Sequence, residues 1–327
     1  MRILIATGIY PPAIGGPAKY AENLKNEWEK MGHSVKVKTY GLEHNLPTGI
    51  RHLYYFLKII PAVLRSDFIY ALDTFSVGLP SALAAVIFVK KMVLRSGGDF
   101  LWEGYVERTG DLVLLKDFYN MPKEKWSRKE KIIFWLTKWT LHHVKTLIFS
   151  TNWQKDIWTG PYGIKALRIK IIENYYGEKM PSLPPAEKNF IAGTRKIKWK
   201  NLATLEKSFE GIEEAKLDLK NYSHDEFMKK ISECYAVILV SLGDISPNMI
   251  LEAIRYNKPF IITEENGLMD RIGEIAITVN PKAENDIKEK ILWLCKKENY
   301  DAQAEKIRNF NFTHTWEDIA RETLNTL

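Results

Sequence analysis

Asp244 and Glu252 are two carboxylates eight residues apart in the stretch Ser241-Leu242-Gly243-Asp244-Ile245-Ser246-Pro247-Asn248-Met249-Ile250-Leu251-Glu252-Ala253. Ser246-Pro247 reads as a helix N-cap followed by the first helical residue. Serine can accept from the early N–H groups, and proline lacks the N–H that would go unpaired there. The N–H groups of Asn248 and Met249 then have no intrahelical acceptor and, with the positive end of the helix dipole, offer a place for a diphosphate. Glu252 lies over one turn further on, in a helix that otherwise looks buried. A carboxylate there needs donors, and a ribose diol is a suitable pair. The residues alone leave a second description open, with Asp244 a loop carboxylate and Glu252 a surface residue.

Two further groups suit an anion. Gly193-Thr194-Arg195-Lys196-Ile197-Lys198-Trp199-Lys200-Asn201 holds four cations within six residues. Arg195 can fork onto two phosphate oxygens, and Lys200 acts as a movable point charge. A solvated turn is the competing description. Gly15-Gly16 lets backbone approach a ligand closely at the start of a helix, although a plain turn explains it equally. It is not the G-x-G-x-x-G fingerprint, so a nicotinamide site loses its main support.

The elements around these residues alternate. Arg2–Thr7, Ser34–Tyr40, Phe68–Leu72, Met92–Ser96 and Thr146–Ser150 read as strands. Ala18–Met31, Ser76–Val89 and Lys129–Val144 read as helices. Strands separated by helices imply a parallel sheet covered on both faces. Pro181, Pro184 and Pro185 mark a boundary within Glu178–Lys188. The alternation then restarts, with strands at Asn189–Ala192, Ala215–Leu219, Ala236–Val240 and Pro259–Thr263 and helices at Asn201–Phe209, His224–Cys234 and Pro247–Tyr256. The expected class is therefore α/β, with two doubly wound, Rossmann-like domains. Ligands of such sheets bind beyond the carboxyl ends of the strands, which places a site in a cleft that the two domains face.

A chain of 327 residues, 46% hydrophobic and 27% charged, has the composition of a two-domain globular protein. Its net charge of +7 fits a solvated basic surface, an anionic small molecule, an anionic membrane or nucleic acid. The longest apolar run, Leu53–Leu64, is broken by Lys58 and Pro61, too short for a membrane span. Met1–Thr7 reads as a strand start, not a signal peptide. Cys234 and Cys295 are the only cysteines, which fits a reducing cytoplasm and offers no zinc site.

Taken in order, these features resemble the family-4 retaining glycosyltransferases of the GT-B fold. Met1–Gly41, with Pro11-Pro12, Gly15-Gly16 and Gly32-His33, is similar to that family's opening. Arg195 and Lys200 match its diphosphate-binding Arg and Lys, and Asp244 through Glu252 matches its E-x7-E motif with Asp in first place. Asn257–Ile262 and Trp316–Ile319 resemble its next strand and its closing helix. The resemblance implies an N-terminal acceptor domain at 1–182, a donor domain at 183–312 lacking one βα unit, and a terminal helix at 313–327 returning to the first domain. It implies that Glu252 holds the donor ribose and that Asp244 contacts the transferred sugar. Ser246, Pro247, Asn248, Met249 and Ile250 would meet phosphates and sugar, with Gly16 approaching the diphosphate from the other domain. The His often found in the first domain's cleft is replaced in Arg95-Ser96-Gly97-Gly98-Asp99 by Gly98, leaving Asp99 as the acceptor-side candidate.

The expected activity is metal-independent, retaining transfer of a hexose from a UDP- or GDP-linked sugar to an acceptor glycan or lipid-linked glycan, with no cofactor. Asp244, Arg195 and Lys200 carry the chemistry. The competitors are a sugar-nucleotide epimerase or phosphorylase of the same fold and a basic nucleic-acid-binding protein. Ile50–Arg65 and the Trp-bearing Lys123–Lys145 mix cations with large apolar residues. This pattern fits core helices or peripheral contact with an anionic membrane on its cytoplasmic face. His142-His143, adjacent in sequence, read as a surface pair and not as metal ligands.

Overall fold

Five consecutive side chains of Arg2–Thr7 are buried, which a strand shows only when both faces of its sheet are covered. The computed structural model describes residues 1–13, 15–193 and 196–327. In chain order the first part comprises β1 (Arg2–Thr7), α1 (Gly16–Lys30), β2 (Ser34–Thr39), α2 (Ile50–Arg65), β3 (Phe68–Ala71), α3 (Gly78–Ile87), β4 (Lys91–Ser96), α4 (Phe100–Thr109), α5 (Leu115–Phe118), α6 (Arg128–His143), β5 (Thr146–Phe149), α7 (Asn152–Tyr162) and β6 (Ile169–Ile171). Then follow β7 (Asn189–Ala192), α8 (Leu202–Phe209), β8 (Lys216–Asp218), α9 (His224–Glu233), β9 (Ala236–Leu239), α10 (Asn248–Arg255), β10 (Phe260–Thr263), α11 (Met269–Ile272), β11 (Ile277–Val279), α12 (Glu284–Cys295), α13 (Lys297–Asn309) and α14 (Trp316–Leu324).

Two parallel sheets result, a six-stranded one in the order β2-β1-β3-β4-β5-β6 and a five-stranded one in the order β11-β10-β9-β7-β8. In each, the first strand is where the strand order reverses. β1 pairs with both β2 and β3, and β7 with both β8 and β9. Right-handed crossovers therefore put α1 on one face of the first sheet and α2, α3 and α6 on the other. The C-terminal α14 joins α1, where Trp28 Nε1 donates to Ala320 O at 3.1 Å. Trp316 meets the Tyr20 ring edge-on at 5.3 Å.

The chain forms two compact units, Met1–Leu101 with Met121–Asn174 and Thr315–Leu327, and Trp102–Asn120 with Tyr175–His314. Two boundaries differ from the sequence reading. The proline segment expected to link domains at 182/183 lies inside the second unit, held by Leu183 N–H to Ser232 O (3.0 Å) and by Lys258 Nζ to Leu183 O (2.7 Å). The division falls instead between Asn174 and Tyr175, just before Tyr176 and His314 exchange a pair of backbone hydrogen bonds at 3.0 Å. Residues Trp102–Asn120, expected in the first domain, belong to the second. Glu107 Oε1 accepts from the Lys198 N–H at 2.5 Å, and the Leu115 N–H donates to Leu242 O at 3.1 Å.

Asn201 joins the strand ends of the second sheet. It is buried and left-handed (φ 58°, ψ 34°). Its Nδ2 donates to Val240 O (3.2 Å) and Pro281 O (2.7 Å), while Thr204 Oγ1 donates to its Oδ1 at 2.7 Å. Asparagine tolerates this backbone and alanine does not. Asn201→Ala is expected to destabilise the second unit by about 3 kcal/mol, from buried carbonyls left unpaired plus left-handed strain. Asn201→Gly should cost less, because only the hydrogen bonds are lost. Urea unfolding of the two variants checks this, and equal losses would remove the strain contribution.

Candidate functional site

In the second unit, the switch point between β7 and β9 is where the sequence placed its charged loop. Lys198–Lys200 forms a single 3-10 turn, and the Leu242 N–H donates to Trp199 O at 2.9 Å. This brings Lys200 Nζ to 2.5 Å from Asp244 Oδ2, with the two side chains only 16% and 14% exposed. Ser241 Oγ donates to the same oxygen at 3.2 Å, and the Trp199 ring centroid lies 4.4 Å from Nζ. Lys200 and Asp244 are thus brought together. Arg195, the third residue expected there, lies outside the described residues.

The loop bearing Asp244 is fixed on every side. Its N–H donates to Glu265 O (2.9 Å) and its carbonyl accepts from the Gly267 N–H (3.1 Å). Gly243 has no room for a side chain, since a Cβ there would stand 2.5 Å from Leu115 Cβ and 3.3 Å from the Trp102 ring.

At α10 the structure corrects the capping assignment. The helix begins at Asn248 with Pro247 as N-cap, and Ser246 lies before it. Pro247 has no side-chain acceptor, so Asn248 and Met249, the first two helical residues, keep unpaired N–H groups. Asn248 is exposed and Met249 half-buried. Ile250 differs from expectation: its side chain is fully buried in the core and its N–H donates to Pro247 O at 3.0 Å, so neither meets a ligand. Glu252 is paired along its own helix with Arg255, at 2.7 Å, and Arg255 stacks over Tyr175, 5.7 Å from the ring centre.

One residue here escaped the sequence reading. Glu265 is buried and accepts an ion-pair hydrogen bond from Lys116 of α5. Burial pushes its carboxyl above the usual range, with Lys116 pulling the other way. Its Oε2 is buried without a hydrogen-bond partner among the described residues. Glu264-Glu265 directly after the buried strand β10 was the signal available. Nothing around Lys116 marked it.

In the first unit, Gly15 and Gly16 follow β1 at that sheet's own switch point. A Cβ on Gly15 would approach Ile9 Cδ1 to 2.7 Å, and the exposed Gly16 opens α1, with no acidic side chain in its first turn. Asp99, the acceptor-side candidate, is not an open carboxylate in this structure. It is buried, and its Oδ2 accepts from Trp158 Nε1 at 2.9 Å, fastening α7 to the loop after β4.

No protein-family model and no curated protein matches the chain. Solved structures do. The chain is similar to sucrose-phosphate synthase from Thermosynechococcus elongatus (13% identical, TM-score 0.73, covering 99% of this chain and 97% of that one). It is similar to the lipopolysaccharide outer core galactosyltransferase WaaB (14%, 0.66, 100% and 99%). It is also similar to UDP-GlcNAc 2-epimerase from Methanocaldococcus jannaschii (15%, 0.56, 99% and 100%). At such identities the likeness is one of fold. The chain has the two-domain α/β architecture of GT-B glycosyltransferases, with six- and five-stranded parallel sheets.

Gly243→Ala is expected to push Leu115 away and cost roughly 1–3 kcal/mol, the usual effect of overpacking. The specific readout is hydrogen exchange at the Leu115 amide, whose acceptor is Leu242 O. Exchange should accelerate there while β10 amides stay protected. Unchanged protection at Leu115 would mean the loop absorbs the methyl group.

Proposed function

We propose that this protein is a glycosyltransferase that moves a hexose, with retention, from a UDP- or GDP-linked sugar to a hydroxyl of a glycan or lipid-linked glycan. It needs no metal or cofactor and takes no nucleic acid as partner. The observation that carries this reading is the shielded Lys200–Asp244 pair beside the open N-terminus of α10, at the carboxyl ends of β7 and β9. During transfer the bond from the sugar's C1 to the phosphate oxygen breaks as the bond from C1 to the acceptor oxygen forms, and the acceptor hydroxyl's proton passes to the departing phosphate oxygen. The charge arriving on the departing diphosphate is met by Lys200, by the N–H groups of Asn248 and Met249 and, on the family resemblance, by Arg195. Asp244 faces the sugar and Glu252 the ribose, while Gly15-Gly16 offers backbone to the phosphates. We place the protein in the cytoplasm, against the inner face of the membrane.

A second reading has one observation in its favour. Epimerisation at a sugar carbon needs an acid–base pair, and the segments of Asp244 and Glu265 are joined by a backbone hydrogen bond of 2.9 Å. Deuterium uptake into a nucleotide sugar, without acceptor and without transfer, would select it.

The primary test is a thermal-shift screen of UDP-, GDP- and ADP-sugars, then turnover of the stabilising donor in EDTA. Stabilisation and undiminished turnover are expected. Activity lost in EDTA and restored by manganese overturns metal independence. Salt-sensitive DNA binding with no shift from any nucleotide sugar overturns the reading itself.

The site residues should fail differently. Lys200→Ala removes a charge-assisted contact of roughly 1.5–3 kcal/mol, so calorimetry should show the nucleoside diphosphate binding about ten- to a hundredfold more weakly. Glu252→Gln should weaken the diphosphate and the nucleotide sugar alike. Asp244→Asn should spare diphosphate affinity and lower single-turnover rates, since sugar contacts matter most in the transition state. Equal loss of diphosphate affinity in the Gln and Asn variants would show one carboxylate to be misassigned.

A further inference from the structure

The first unit exposes apolar side chains along three neighbouring helices. On α2, Leu53, Leu57 and Leu64 face solvent, Leu53 at 61% exposure, while Tyr55, Ile59, Ala62 and Val63 face the core. On α3, which packs against α2, Leu83, Val86 and Ile87 are exposed at the same helical spacing. On α6, which packs against α3, Ile132 and Trp135 are exposed, Trp135 at 64%. All three helices cover the same face of the six-stranded sheet, so these stripes make one surface. Scattered exposed leucines need no explanation, but several on each of two adjacent helices do.

The charges on these helices have one sign. α2 carries Arg51, Lys58 and Arg65, and α6 carries Arg128, Lys129, Lys131 and Lys138. The one acidic residue among the three helices is Glu130, buried in the capping box of α6 with Ser127. Lys58 is neutralised by Glu43 at 2.8 Å. Arg65, Arg128, Lys129 and Lys131 are exposed and make no ion pair among the described residues. A twofold dimer through this face would set identical cations opposite one another, which disfavours a second copy as occupant. No helix among the described residues is long and apolar enough to cross a membrane.

We propose that the α2–α3–α6 face is a docking surface for an anionic lipid leaflet. The leucine, isoleucine, valine and tryptophan side chains enter the headgroup–acyl boundary, and Arg65, Arg128, Lys129 and Lys131 meet the lipid phosphates. The surface joins parts of the two amphipathic stretches marked in the sequence, Ile50–Arg65 and Lys123–Lys145, and adds α3 between them. Trp126 of the second stretch is buried, and most of the apolar contact comes from α2 and α3. The inference deepens the peripheral placement proposed above. Its test needs no turnover, so it stands or falls separately from glycosyl transfer.

The test is sedimentation of the full chain with vesicles of phosphatidylcholine alone and of an equal mixture with phosphatidylglycerol. Binding should appear on the mixed vesicles, weaken with salt and be far lower on the neutral ones. The double variant Leu53→Glu, Leu57→Glu should reduce partitioning at least about tenfold, with an unchanged melting temperature because both residues face solvent. Lys129→Glu with Lys131→Glu should abolish the preference for anionic lipid. Leu167→Glu, at an exposed residue outside these helices, should bind as the parent does. Equal partitioning on both vesicle types, or full binding by the leucine variant, overturns the proposal. So does a solution dimer that the leucine variant dissociates in a protein that ignores vesicles.

Discussion

Four residues, Ser241–Asp244, hold the candidate site together, and they do so because the second of the two middle residues has no side chain. The Leu242 N–H donates to Trp199 O and its carbonyl accepts from the Leu115 N–H, while the Asp244 N–H donates to Glu265 O and its carbonyl accepts from the Gly267 N–H. Segments far apart in sequence thereby converge on one loop at the end of β9. The convergence requires Leu115 and Trp102 to sit where a Cβ on Gly243 would be. Any larger residue would trade the tightness of that contact for a shift of α5, and with it the Lys116–Glu265 ion pair.

The loop can be so demanding because the strands behind it are not. β7, β9 and β10 are short, nearly continuous apolar runs, buried on both faces. Their register is parallel throughout, so each delivers its following loop to the same edge. That logic made much of the fold legible in the sequence: short apolar runs punctuated by amphipathic helices admit few arrangements, and the charged loop after Ala192 and the serine–proline start of α10 had to fall at strand ends. Lys200 and Asp244 were readable for the same reason, since they follow the ends of the buried strands β7 and β9 by eight and five residues.

What was not legible depends on long-range contact. Residues Trp102–Asn120 carry no sign in their composition that they belong with the second unit; what ties them there is a tryptophan against Trp199 at 5.5 Å, the Leu115–Leu242 backbone bond, Glu107 on Lys198 and Lys116 on Glu265. Asp99 looked available because carboxylates at strand ends commonly are, yet it is buried and accepts from the Trp158 indole. The proline segment looked like a linker because prolines cannot join a ladder, but its carbonyls can still accept, and Lys258 uses one. Glu252 was expected to need donors, and its own helix supplies one three residues on in Arg255. In each case but the last the partner comes from tertiary placement, which local sequence does not carry.

The Lys200–Asp244 pair has a consequence of its own. Two shielded charges at 2.5 Å attract strongly, so without a ligand neither is free. On the reading proposed above, a diphosphate carries more negative charge than one carboxylate and can draw Lys200 toward itself. It is helped by the Asn248 and Met249 N–H groups, which Asp244 does not use. Asp244 would then lose its main donor, keeping only Ser241 Oγ among the described residues, and would turn to the hydroxyls of the sugar attached to that same diphosphate. A free sugar cannot trigger this exchange, because it brings no charge to compete for Lys200. Phosphate recognition would thereby precede sugar recognition through one shared lysine, with the tight turn at Gly243 keeping Asp244 within reach of both.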